Sequence, residues 1–187
     1  MHPSLPNLPL LKHKVTQAGA CLGLIAGMYA SLCASAWAGP HEHGVVHMTI
    51  AIEGANVQLA LRAPQESLLG YERAPREGSE KQQAAKLIEQ MRSAESVIQW
   101  NAQAQCKSTS ASVSAPGLQG KAEAGGHADI EAQYRFECGQ AAQLRSAQVP
   151  LFELSRRISR VQVQVAGPQG QSQSTLRRNR REFQIGK

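Results

Sequence analysis

Residues 45–62, VVHMTIAIEGANVQLALR, alternate apolar and polar side chains on both sides of a short break. Val46, Met48, Ile50 and Ile52 share one face of an extended segment from about Val45 to Glu53, and His47, Thr49 and Glu53 share the other. A period of two marks a strand with one buried face. Gly54-Ala55 supplies turn chemistry, and Val57, Leu59 and Leu61 then alternate with Gln58, Ala60 and Arg62. The stretch reads as a β-hairpin.

The same period returns further on. Ile130, Ala132, Tyr134, Phe136 and Cys138 alternate with Asp129, Glu131, Gln133, Arg135 and Glu137, and Val161, Val163 and Val165 alternate with Arg160, Gln162 and Gln164. Gly167-Pro168-Gln169-Gly170 is a turn, with a partner strand near Gln171 to Arg177. Weaker strands are expected at Val97–Trp100, Cys106–Val113 and around Phe183 and Ile185. One segment changes period: Ala84, Leu87, Ile88, Met91 and Ala94 recur at helical spacing, with Lys81, Lys86, Glu89 and Arg92 on the remaining face. Ser79 with Gln82 resembles a capping box, so a helix is predicted from about Glu80 to Ala94. Short helical turns are expected at Ser67–Leu69 and after Pro150. The glycine-rich run from Ala115 to Gly126 reads as a loop. The expected class is α+β: a mostly antiparallel sheet covered by one long helix and one or two short helices.

Residues 1–38 read as a cleavable signal peptide. Lys12, His13 and Lys14 form a basic start, a short apolar stretch runs from about Ala18 to Cys33, and Ala36-Trp37-Ala38 fits the small-x-small cleavage rule. The stretch is short of the roughly 20 apolar residues that span a bilayer. Cleavage before Gly39 leaves a single domain of about 149 residues, Gly39 to Lys187. Its loss of two lysines lowers the net charge from +6 to +4, which is no nucleic-acid signature. The cluster Arg177-Arg178-Asn179-Arg180-Arg181 reads as a solvated strand end or, alternatively, as a docking patch for an acidic partner or anionic surface. Cys106 and Cys138 remain as an even pair, and in an oxidising compartment a disulfide is the simplest outcome. Thiolate metal ligation is the alternative.

Four histidines survive cleavage: His41, His43, His47 and His127. In an extended chain His41, His43 and His47 would project to the same side. Imidazole is the commonest ligand for Zn²⁺, Cu²⁺ or Ni²⁺ at neutral pH. His127 heads a second group with Asp129 and Glu131, and if the two strands lie side by side all six converge. Histidines beside a new terminus can equally bind nothing. Enzyme signatures are absent: His41-Glu42-His43 is not the H-E-x-x-H of zinc proteases, and there is no G-x-S-x-G elbow, P-loop or dinucleotide fingerprint.

Several segments together resemble the ZrgA-like zinc-binding periplasmic proteins. His41-Glu42-His43-Gly44-Val45 opens an amphipathic strand, Leu69-Gly70-Tyr71-Glu72-Arg73-Ala74-Pro75 is similar to that family's Gly-aromatic-Glu-His-x-Pro segment, and Cys106 matches its mid-chain cysteine. Tyr134-Arg135-Phe136-Glu137-Cys138 and Leu151-Phe152-Glu153-Leu154 follow in the family's order. The resemblance implies a periplasmic, non-catalytic protein that binds Zn²⁺ through histidines and supports zinc acquisition or buffering, alongside an ABC-type zinc importer or its periplasmic binding protein. It also implies a His-rich insertion before the Tyr-x-Phe-x-Cys strand. Here that loop holds no histidine before His127, and Arg73 stands where the family has His. Both departures lower the ligand number, so one or two sites are expected instead of a multi-ion buffer. The competing expectation is a periplasmic interaction or scaffold protein with reduced or lost metal binding.

Overall fold

Where apolar side chains recur at every second position the chain forms strands, and the computed structural model, which describes residues 42–121 and 128–186, places the principal ones in one sheet. The expected signal segment 1–38 lies outside the described residues. The opening hairpin is β1, Val45–Glu53, and β2, Asn56–Pro64. A one-turn helix α1, Gln65–Leu69, follows directly, and then the long helix α2, Gly78–Arg92. Next come β3, Gln99–Trp100; β4, Cys106–Ser114; β5, Asp129–Cys138; and β6, Ser146–Gln148. The chain closes with β7, Arg160–Gly167; β8, Gly170–Leu176; and β9, Glu182–Gln184.

Six strands form a mixed sheet in the order β4-β5-β2-β1-β7-β8, and β3-β6-β9 make a second sheet of three. Neighbours in the large sheet are antiparallel except β1 and β7, which pair in parallel from Val45↔Arg160 to Ala51↔Ala166. β1 thus lies in the interior of the sheet, and its inward residues Val46, Met48 and Ile50 are at most 1% exposed. β5 alternates buried and exposed residues along its whole length. The inward residues of the large sheet, Leu87 and Met91 of α2, and Ala147 and Phe183 of the small sheet join one hydrophobic core. Full burial of each large side chain contributes about 1.5–3 kcal/mol. Tyr134 adds a polar tie: its hydroxyl, pushed to a higher pKa by burial, donates to the Met91 carbonyl at 2.6 Å. That bond satisfies one of the carbonyls left open at the end of α2.

The expected α+β class is overturned. Among the described residues the fold is mostly β, 45% strand against 27% helical, and α2 is the one helix of seven or more residues. Two misreadings account for this. The short helices are single turns, at Gln65–Leu69 and Pro150–Glu153. The layer expected from helices is partly the small sheet: β3 and β9 fall in segments expected as weak strands, but β6, which joins them, was not expected. The capping box is also absent: Glu77 is the N-cap of α2 and its side chain makes no capping bond. The predicted disulfide is present between Cys106 and Cys138, which face each other across β4 and β5. Among the described residues no helix is long and apolar enough to cross a membrane.

Candidate metal centre

The turn into β1 sets the position of His43. Gly44 adopts φ +77°, a left-handed conformation that favours glycine. Its amide donates to Ser67 Oγ of α1 at 2.8 Å, and its carbonyl accepts from Ser159 N and Ser159 Oγ, at 2.8 and 3.0 Å. A Cβ there would lie 2.9 Å from Ser159 Oγ and 3.0 Å from the Arg157 carbonyl. This fixed turn interrupts the strand alternation between His43 and His47. His43 therefore meets α1 and the segment after it. Its Nδ1 lies 3.0 Å from Glu66 Oε2 and 3.9 Å from Glu72 Oε1. The imidazole is 61% exposed, and the two carboxylates are 32% and 21% exposed.

Glu72 is held by its neighbours. Gln65 is fully buried, and its Nε2 donates to the carbonyls of Tyr71 and Arg73 at 3.0 and 2.7 Å, one on each side of Glu72. The Gln65 backbone amide is itself tied to Ala128 O at 2.7 Å. On the far side, Arg73 makes a two-pronged ion pair with Glu80 of α2 at 2.8 and 2.7 Å. Glu80 also accepts from the Arg76 amide at 2.6 Å. The Arg73 bond, with the Arg76 amide behind it, holds the Glu80 carboxyl down at about 2. Residues 71–76 are thus pinned between the end of β2 and the start of α2.

Of the remaining sequence-predicted residues, His47, Asp129 and Glu131 do not join His43. His41 and His127 lie outside the described residues. His47 projects from the exposed face of β1, opposite Arg62 on β2 and Gln162 on β7. The expectation that β1 and β5 lie side by side does not hold, because β2 stands between them. Arg62 comes from that intervening strand. Its Nε bonds Asp129 Oδ2 at 2.5 Å, and its register partner on β5 is Glu131. A guanidinium therefore separates His47 from both carboxylates, with His47 and Glu131 about 10 Å apart across two strand spacings. Burial, and next the Arg62 charge, lower the pKa of His47. That row is an ion-paired sheet face with Arg62 between His47 and the two carboxylates.

Among the described residues no three His, Cys, Asp or Glu side chains close on a ready-made metal site. His43, Glu66 and Glu72 come nearest, and their chemistry suits zinc, which takes imidazole nitrogen and carboxylate oxygen at about 2.0–2.2 Å. Two ligands on a zinc tetrahedron of that size stand about 3.3–3.5 Å apart. The 3.0 and 3.9 Å separations bracket this edge.

A family model for ZrgA family zinc uptake proteins matches residues 40–185. The chain belongs to the ZrgA family. Among curated proteins no match was found. Membership ties the chain to zinc and bears out the resemblance read from its motifs. It also gives meaning to the Arg73 departure. In this ZrgA chain residue 73 points its side chain to Glu80 on α2, and residue 72 reaches toward His43. Glu72 was legible as part of the family-like segment, though not as a candidate ligand. Glu66 carries no signal in sequence, because only folding brings α1 beneath residue 43.

Proposed function

We propose that this chain is an exported, periplasmic zinc carrier that grips Zn²⁺ with His43, Glu66 and Glu72 and completes the site with His41, without catalysis. The observation that carries the reading is the imidazole of His43 set between two carboxylates at ligand-to-ligand spacing, in a chain of a zinc uptake family. His41 lies two residues upstream, within about 7 Å of the His43 Cα by chain length alone. Two histidines and two carboxylates make a four-coordinate zinc set. Glu66 and Glu72 arrive on pinned backbone, so the ion draws together side chains more than main chain. The expected partner is a zinc ABC importer or its periplasmic binding protein, to which a partly exposed site can pass its ion.

Isothermal titration of the purified domain with Zn²⁺ tests this. Groups that merely support a ligand are worth about 10–100-fold in metal affinity. Replacing a ligand itself, His43→Ala, is therefore expected to weaken binding by about a hundredfold or more. Glu72→Gln is expected to weaken it by about tenfold, and His47→Gln not at all. Equal affinity in wild type and His43→Ala would overturn the site.

A further inference from the structure

The opposite end of β1 carries a second feature, unrelated to zinc. A cleft of about 430 Å³ opens there, floored by Ile52 of β1, Val165 of β7, Leu144 and Ile185. It is bounded by the β7–β8 turn and by the helical turn Ala141–Gln143. Small residues keep it open. Cβ atoms placed on Gly54 or Gly170 would meet nothing within 4 Å, and Ala141 and Ala142 form another part of the wall. The volume falls in the range of small-molecule sites, roughly 300–1,000 Å³. One charged side chain lines the cleft, that of Arg145. Arg145 is exposed, and among the described residues no carboxylate pairs with it. About 27 Å of strand separates this cleft from the start of β1, so it is independent of His43.

We propose that this cleft binds a small amphipathic carboxylate, its apolar chain on Ile52, Leu144, Val165 and Ile185 and its carboxylate on the Arg145 guanidinium. The class follows from the lining. An apolar floor favours a hydrocarbon body, and a lone guanidinium at the wall selects an anionic head over a neutral one. The volume of the cleft suits a medium-length acyl chain and is too small for a folded partner.

The test is a titration of the domain with octanoate, and separately with octan-1-ol, followed by the methyl resonances of Ile52, Leu144, Val165 and Ile185. Saturable shifts of these methyls are expected with octanoate, and weaker binding with octan-1-ol. Ala142→Trp, an exposed position that fills the cleft, is expected to abolish binding of both while leaving zinc affinity unchanged. Arg145→Gln, also exposed, is expected to weaken octanoate by about fivefold, the scale of an exposed charge pair, and to leave octan-1-ol unaffected. Absence of saturable shifts, octanoate binding that survives Ala142→Trp, or equal octanoate affinity in Arg145→Gln would each overturn the proposal.

Discussion

The two ends of β1 are built in opposite ways. At its start, Glu42 pairs with Arg160, His43 meets Glu66 and Glu72, and the following segment is clamped by Arg73 and Glu80. At its end the strand runs into Ile52, Val165, Leu144 and Ile185, with Arg145 as the lone charged lining residue. The strand pattern is the same throughout. The difference comes from what is packed around it: charged side chains on turns and α1 at one end, glycine and alanine at the other. The first end gathers an imidazole and two carboxylates, and the second leaves apolar surface open. One strand can therefore support two chemistries if its flanking segments, not its own residues, carry them.

The largest separation of the two ends is expected from Leu144→Ala. Leu144 is 3% exposed, and its truncation is expected to cost about 2–4 kcal/mol in chemical denaturation. Zinc affinity of the folded protein should not change, and a matching loss of zinc binding would show that the ends are coupled. A smaller effect is expected from pH at the charged end. Unfolded His47 takes up its proton near the ordinary pKa of about 6.5, whereas the folded side chain does so only at lower pH. As pH falls through about 6.5 the unfolded state binds the proton first, so stability declines. His47→Gln is expected to flatten that part of the melting-temperature profile, while Ala142→Trp should leave it as in wild type. The smallest effect belongs to Glu80. Its carboxyl is held at about 2, so the stability it supplies is present above about 4.5 and lost as pH falls towards 2. Glu80→Gln is expected to reduce the acid sensitivity of the melting temperature within that window, and an unchanged slope would remove the Arg73 clamp from the account.

How far sequence reading reached follows the range of the interactions involved. The hairpin, β5 and β7 were legible because alternation is a local signal, and so was α2, to within two residues at either end. The class was misread although β3 and β9 fall in segments expected as weak strands: β6 was not expected, and the pairing of the three across long sequence separations leaves no local trace. The candidate metal centre was half legible. His43 stood out by type and spacing, but its carboxylates come from α1 and the segment after it, and only the Gly44 turn aims the imidazole at them. Asp129 and Glu131 drew attention as a cluster. The strand order instead gives them Arg62, a partner 67 residues from Asp129 in sequence.

The parallel pairing of β1 with β7 bears on how the chain is made. The hydrogen bond from Ser159 Oγ to Gly44 O, at the head of that pairing, joins residues 115 apart. Once made, β1 can find β2 at once, but its other edge stays bare until most of the polypeptide has emerged. Contacts of such separation form slowly, and an open apolar strand invites association with other chains. Newly made molecules are therefore most vulnerable while the C-terminal third is still missing, and a chaperone that shields the edge of β1 would protect them during that interval.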